Sequence, residues 1–122
     1  MITNEPLTRF IFSRNHFSAS QRRVKHQAFL PPVDLRLSVF RIESLTEAEV
    51  WRIGDEIEAG RSERVRARAD LPSSEVIRIG LSAVPDEPPP RHANIVDWPA
   101  DDKDGRKILA MELAAVASLA IP

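Results

Sequence analysis

The residues of this sequence that titrate closest to neutral pH are three histidines, His16, His26 and His92. Two histidines and a cation can together cleave a phosphodiester, because one removes a proton from the attacking hydroxyl while the other protonates the leaving oxygen. The cation, Arg14 or Lys25, would stabilise charge that develops on the phosphate oxygens. These residues suggest a small enzyme that handles phosphodiesters or nucleotides, with His16, His26, His92 and Arg14 as its catalytic set. Isolated histidines are more often surface or structural residues, and no spacing in the sequence brings these three together.

Other familiar catalytic and ligand-binding motifs are absent from the sequence. There is no cysteine, which excludes disulfides, thiol nucleophiles and thiolate metal sites. The glycines are isolated from one another, so there is no glycine-rich phosphate loop. No two histidines are three or four residues apart, and the acids Asp101, Asp102 and Asp104 fit a helix start better than a calcium loop. We therefore expect neither a metal ion nor a cofactor.

A row of arginines offers a different kind of chemistry. Arg64, Arg66 and Arg68 alternate with smaller residues, a period of two that predicts a strand with all three side chains on one face. Such a row could follow the phosphates of an extended nucleic acid, but no Phe, Tyr or Trp lies between residues 52 and 97 to stack on bases. An acidic protein partner fits equally well, and so does an exposed strand protected by charge. We expect these arginines to contact a partner, and nucleic acid is the less favoured one.

The elements that must position these residues are organised around a helix predicted from Thr46 to Gly60. Thr46 and Glu49 have the spacing of a capping box, in which each side chain hydrogen-bonds to the backbone N–H of the other residue. Acidic residues crowd the first turn, and Gly60 suggests a left-handed stop at the other end. The apolar residues form one stripe, which requires a sheet to cover it. The stripe consists of Val50, Ile53 and Ile57.

A second helix is predicted from Asp101 or Asp102 to about Leu119. From Ile108 onward Glu112 is its only charged residue, so apolar side chains surround most of the helix. One sheet buries only one stripe of such a helix, which leaves a second face for another helix, a protein partner or a second copy of the chain. We expect this face to be a binding surface. The expected contact residues are Leu109, Met111 and Val116.

Alternating apolar and polar residues predict a mostly antiparallel sheet of about five strands, with both helices on one face. The expected fold class is α+β, and the length of 122 residues suits a single domain over 1–122. Residues 1–8 are predicted to be an irregular lead-in and residues 85–91 a proline-rich connector. Two hairpins are predicted, the second strand pairing with the third and the fourth with the fifth. The predicted strands are 10–12, 22–30, 35–42, 64–70, 76–84 and 92–98.

Charge is nearly balanced overall but unevenly distributed. The chain has 17 Lys and Arg against 18 Asp and Glu, a formal net charge of -1. Residues 1–42 carry seven basic and two acidic side chains, whereas residues 43–60 carry six acidic and one basic. A basic face would attract an anionic partner, but the overall basicity usual for nucleic-acid-binding proteins is missing. The sequence shows neither a signal-peptide pattern nor a membrane-spanning apolar run, so a cytoplasmic location without membrane contact is expected.

Taken together, these patterns favour a non-enzymatic binding or assembly protein over the phosphodiester-handling enzyme. The partner would be another protein, or a second copy of the chain in a homo-oligomer. The surfaces expected to bind it are the apolar C-terminal helix and the charged face of the sheet.

Overall fold

The computed structural model describes all 122 residues and contains eight strands, three α-helices and two short 3₁₀ helices. The strands are β1 Pro6–Ile11, β2 Phe17–Ser18, β3 Arg23–Val24, β4 Leu37–Arg41, β5 Ala67–Pro72, β6 Ser82–Pro85, β7 His92–Val96 and β8 Ser118–Ala120. The α-helices are α1 Glu47–Ala59, α2 Ser73–Arg78 and α3 Lys103–Val116. The 3₁₀ helices are Arg14–His16 and His26–Phe29.

Six of the strands form one antiparallel sheet in the order β6, β7, β4, β1, β5, β8. β1 lies in the interior of this sheet and pairs over its whole length with β5, but it pairs with β4 only at Leu7 and Thr8. β2 and β3 form a separate two-stranded hairpin. The α+β class and the mostly antiparallel sheet are therefore confirmed, with six strands where about five were predicted.

Different helices cover the two faces of the sheet. Because successive side chains of a strand point to opposite faces, Leu7 and Ile11 of β1 lie on one face and Phe10 on the other. The first face carries the larger core, which includes Leu113 of α3. The second carries a smaller core, which includes Val50 of α1. The prediction that both helices pack on one face is wrong, because β1 and β4 carry apolar residues on both faces and each face needs its own cover.

The predicted middle helix is confirmed as α1, together with its capping box. The Thr46 side chain accepts a hydrogen bond from the Glu49 N–H at 3.2 Å, and the Glu49 carboxylate accepts one from the Thr46 N–H at 3.0 Å. Gly60 is the C-cap, but its φ of -94° is not left-handed as predicted. Other residues can adopt this backbone conformation, so the end of the helix does not require glycine here.

The C-terminal helix is shorter than predicted. α3 begins after Asp102, whose carboxylate accepts a hydrogen bond from the Gly105 N–H at 2.8 Å, and it ends at Val116. Ala117 is extended, and the next residues form β8, which pairs with β5 at the edge of the sheet. Pairing with a distant strand therefore overrides the local helical pattern. No helix of the protein is both long enough and apolar enough to cross a membrane.

The segment from 22 to 30 forms a turn rather than the predicted long strand. Only Arg23–Val24 forms a strand, and it pairs with Phe17–Ser18 instead of with β4. The 3₁₀ helix that follows buries Phe29 completely in the larger core, which also contains residues of α3. The conformation of this segment is thus determined by its packing against the sheet face and not by strand pairing.

The segment from 76 to 84 begins as a helix instead of a strand. α2 starts directly after Pro72, buries Val76 and exposes Ile77, and only β6 remains extended. Val76 and Ile79 both pack in the larger core, which their spacing of three residues allows within one helical turn. Neither predicted hairpin forms, because β4 pairs with β1 and β7, and β5 pairs with β1 and β8.

The first residues belong to the sheet more fully than predicted. β1 begins at Pro6, inside the expected lead-in. Ile2 is buried and forms an isolated bridge to Ala83 of β6. The proline-rich stretch after Pro85 connects β6 to β7, close to the predicted position of the connector.

Gly54 packs against the Phe10 ring, and we expect its replacement by alanine to destabilise the protein. A Cβ at residue 54 would lie 2.9 Å from Cε1 of the buried Phe10 ring. Gly54→Ala should lower the free energy of unfolding by about 1–3 kcal/mol, despite the better helix propensity of alanine. Urea denaturation measures this, with Gly60→Ala as the control because its Cβ would only meet the Ile57 carbonyl at 3.7 Å. Equal loss in both variants would contradict the packing described.

Glu5 and Arg41 form a two-pronged ion pair that ties the residue before β1 to β4. Arg41 Nε donates to one carboxylate oxygen at 2.7 Å and Nη2 to the other at 2.8 Å. These hydrogen bonds lower the pKa of Glu5, burial opposes them, and the charges of Arg41 and Arg91 assist. A carboxyl group with a lowered folded-state pKa stabilises the fold at pH values above its unfolded pKa, and this contribution is lost as the pH falls through the folded pKa.

We expect Glu5→Gln to lower the free energy of unfolding at about pH 7 by about 1.5–3 kcal/mol, the usual worth of hydrogen bonds to a charged group. The difference from wild type should shrink as the pH falls below the ordinary glutamate pKa of 4.5, because the unfolded wild-type chain then binds a proton that the folded protein binds only at lower pH. Urea denaturation across this pH range measures both effects. Glu43→Gln, at an exposed carboxylate without an ion pair, is the control. A difference that does not change with pH would contradict the role of the ion pair.

Candidate functional site

The structure does not bring the three predicted catalytic histidines together. His16 lines a small cavity with Arg9, whereas His26 lines a different cavity with Met111. His92 belongs to neither of these cavities and lies beside the Phe40 ring, at 5.3 Å between ring centroids. Acid–base catalysis by two histidines requires both to reach one substrate, and this arrangement does not provide that.

His92 has the surroundings of a structural histidine. Its Nε2 lies 2.7 Å from the Ser38 hydroxyl, and its Nδ1 lies 2.7 Å from the Asp86 carbonyl oxygen. Both ring nitrogens are therefore occupied by hydrogen bonds that join β7 to β4 and to the proline-rich connector. Neither nitrogen is left to exchange a proton with a substrate.

The three arginines of the predicted row have different surroundings. Arg68 is only 2% exposed and lies beneath α1, where it does not reach a partner. Its guanidinium donates to Glu47 at 2.7 Å and to Asp70 at 3.0 Å, and it lies 4.7 Å from the centre of the Trp51 ring. Burial opposes the charge, but the hydrogen bonds to Glu47 and Asp70 outweigh it and raise the pKa of Arg68. Arg68 is thus a structural residue and not the binding residue predicted.

Arg64 and Arg66 precede β5, and their side chains line a surface cavity together with Arg14. This cavity has a volume of about 520 Å³. Arg64 is highly exposed, and its closest carboxylate is Glu58 at 4.0 Å, while neither Arg14 nor Arg66 forms an ion pair. Three guanidinium groups from two distant parts of the sequence therefore converge with little neutralisation.

Two further cavities adjoin this one, and we call the three together the basic groove. A cavity of about 240 Å³ shares Ala19 and Ile121 with the first, and a cavity of about 630 Å³ shares Arg22 with the second. No Asp or Glu side chain lines any of the three. The basic residues of the groove are Arg14, Arg22, Arg23, Lys25, Arg64 and Arg66. His26 lines its far end.

Two short pairings build the basic groove. In the hairpin of β2 and β3, Phe17 pairs with Val24, whose buried side chain anchors the loop that carries Arg22 and Arg23. At the sheet edge, Ala120 of β8 lies opposite residue 68 of β5, and the chain after β8 therefore runs beside the arginines that precede β5. The groove thus depends on the strand that replaces the predicted end of the C-terminal helix.

Only one of the three predicted contact residues on the C-terminal helix is freely exposed. Met111 is 51% exposed and lines the basic groove. Leu109 packs against the larger core and Val116 is half-buried, so neither presents a free apolar surface. Ile108 and Ile121 are the other large apolar residues exposed in this region. The apolar surface is therefore smaller than the sequence suggested and lies partly inside the groove.

The sequence did not single out Arg22 and Arg23 of the groove, and it suggested Lys25 only as a candidate catalytic cation. It assigned them to a long strand, although the excess of basic over acidic residues in 1–42 was an available signal. What the groove can do chemically is hold anionic groups by charge and by guanidinium hydrogen bonds, with Met111 and Ile121 as apolar contacts. No three His, Asp or Glu side chains lie close enough together to hold a metal ion.

Comparison with known proteins identifies no relative of this chain. No protein-family model, no curated protein and no solved structure matches it.

Because Arg68 is buried and Arg64 is exposed, their replacement should change the free energy of unfolding by different amounts. We expect Arg68→Ala to lower the free energy of unfolding by at least about 2 kcal/mol, because Asp70 loses its partner and α1 loses its polar contact with β5. Arg64→Ala should change it by less than about 0.5 kcal/mol, since that side chain is solvated. Urea denaturation of both variants measures the difference. Equal stabilities would show that Arg68 is not buried beneath α1.

Proposed function

We propose that this chain is a non-enzymatic binding protein that holds an acidic segment of another protein in the basic groove. The observation that carries the proposal is the composition of the groove, which has six Arg and Lys side chains and no Asp or Glu side chain. A run of unneutralised positive charge attracts anions over a distance and orients them as they approach.

The mixture of side chains in the groove supports a protein partner over a nucleic acid. Phe17 is the only aromatic residue that lines it, and this ring is half-buried, so stacking of several bases has no support. Met111 and Ile121 instead offer apolar contacts among the charges. A segment in which Asp or Glu residues alternate with apolar residues would use both kinds of contact.

The separation of the histidines supports binding rather than catalysis. His26 is the only histidine that lines the basic groove, and no Asp or Glu side chain there could act as its partner in proton transfer. The phosphodiester-handling enzyme considered from the sequence therefore has no assembled set of catalytic groups in the groove. The proposal keeps the cytoplasmic location expected from the sequence.

The experiment that tests this function measures fluorescence anisotropy with a labelled peptide of alternating Glu and Leu. We expect the peptide to bind, to bind more weakly as salt is added, and to lose binding when its Glu residues are replaced by Gln. The variant Arg64→Gln/Arg66→Gln should reduce the affinity roughly tenfold, as expected for the loss of two exposed charge contacts. The matched control is Arg52→Gln/Arg78→Gln, which removes two exposed arginines outside the groove.

The other outcomes of this experiment point to other partners. A single-stranded oligonucleotide that binds in place of the peptide would replace the acidic protein segment by nucleic acid. Self-association at low salt, read by native mass spectrometry, would instead indicate that the acidic stretch 43–60 of a second copy fills the groove. Equal affinities of the groove variant and the control variant would exclude the basic groove as the binding surface.

A further inference from the structure

Arg9 is half-buried, and no carboxylate neutralises its charge. Its Nε donates to the Ala28 carbonyl at 3.0 Å and its Nη1 to the Ser38 carbonyl at 3.0 Å. It forms no ion pair with any Asp or Glu of the chain. Burial lowers the pKa of Arg9 to about 10, and the nearby charge of Arg61 adds to this effect, so the group is still ionised at neutral pH. Two backbone carbonyl groups compensate the lost hydration of a partly buried cation less well than a carboxylate would.

The third nitrogen of this guanidinium, Nη2, has no hydrogen-bond partner in the protein. The only buried side-chain nitrogen sealed off without a partner is Nη1 of Arg68, so Nη2 of Arg9 reaches accessible space. Arg9 lines a cavity of about 130 Å³ that lies apart from the basic groove. Arg9 thus lines a small surface cavity and keeps one donor nitrogen without a partner.

Other donors without acceptors line the same cavity. Neither ring nitrogen of His16 makes a hydrogen bond within the protein, and the Ser13 hydroxyl accepts from the Asn15 N–H at 3.2 Å but donates to no group. Arg61 lies over the Phe12 ring at 3.9 Å, which fixes a second positive charge at the wall. The one acid of the cavity, Glu63, is held by Arg61 at 2.8 Å. Donors therefore exceed available acceptors.

We propose that Arg9, Ser13 and His16 form a binding pocket for a tetrahedral oxyanion of the phosphate class. The oxyanion would accept hydrogen bonds from Nη2 of Arg9, from the Ser13 hydroxyl and from a ring N–H of His16. It would also supply the negative charge that the surroundings of Arg9 lack.

The size of the pocket suits a small ligand. With a volume of about 130 Å³ it is smaller than each of the three cavities of the basic groove, and we expect it to hold a single phosphate group. The ligand is therefore inorganic phosphate, or the terminal phosphate of a monoester whose remainder lies outside the pocket. This site does not depend on the function proposed for the basic groove, since none of its three donors lines that groove.

The test is an NMR titration of the full chain with inorganic phosphate, and in a separate arm with O-phosphoserine as a monoester. Sodium chloride at matched ionic strength corrects for screening. We expect phosphate to shift the signals of the Arg9 side chain and the His16 ring. Arg9→Gln should weaken binding about tenfold or more, and His16→Gln about threefold or more, as expected for hydrogen bonds to a charged ligand. Binding of phosphoserine to the same residues would assign the site to monoesters, and its failure would assign it to free phosphate.

The control variant is Arg64→Gln/Arg66→Gln, which should retain phosphate binding because it alters only the basic groove. If Arg9→Gln does not fold, His16→Gln and Ser13→Ala test the proposal instead. Neither the His16 ring nor the Ser13 hydroxyl donates a hydrogen bond to the rest of the protein. Phosphate shifts confined to the basic groove would overturn the proposal. Unchanged phosphate affinity in His16→Gln and Ser13→Ala would overturn it as well.

Discussion

The position of α1 on the sheet depends on how the protein neutralises the buried charge of Arg68. The charge projects from the sheet toward the helix, and Asp70 of the same strand compensates only part of it. Glu47 in the first turn of α1 and the face of Trp51 one turn later supply the remainder. The apolar cluster under α1 has only four fully buried residues, and such contacts are not directional. The ion pair therefore selects the end of the helix that lies over β5.

This arrangement separates the protein into a sheet with two dissimilar faces. The face under α1 combines a small aromatic cluster with polar groups, including Arg68 and the hydrogen-bonded His92. The opposite face is apolar apart from Arg9, and α3 and the 3₁₀ helix around Phe29 cover it. The loops that cover the face with the larger core also extend to the edge of the sheet. The basic residues of the groove that come from between β2 and β4 therefore lie beside β8. The basic groove is thus a consequence of how the larger core is closed.

Arg9 and Arg68 show how context gives the same residue type different roles. Arg68 has two carboxylates and an aromatic ring around it, so its charge stabilises the contact between β5 and α1. Arg9 has two carbonyls and a cavity, so part of its hydrogen-bonding capacity remains for a ligand. Arg64 is exposed and Arg66 half-buried at the surface, and neither forms a close ion pair, so both can attract an anion through long-range charge. Strand alternation alone assigned Arg64, Arg66 and Arg68 a common role, and burial distinguishes them.

Features that rest on neighbouring residues were determined by the sequence itself. The capping box of Thr46 and Glu49 and the start of α3 after Asp102 need only hydrogen bonds within one turn, so the sequence predicts them closely. Strand partners, the helical start of 73–78 and the final strand 118–120 depend on which distant surface needs cover, and the sequence predicted them wrongly. The candidate sites also depend on contacts between distant parts of the chain. Arg14 and Arg66, or Arg9 and His16, come together only when the sheet and its covering loops close, because tertiary packing overrides local pattern wherever the two compete.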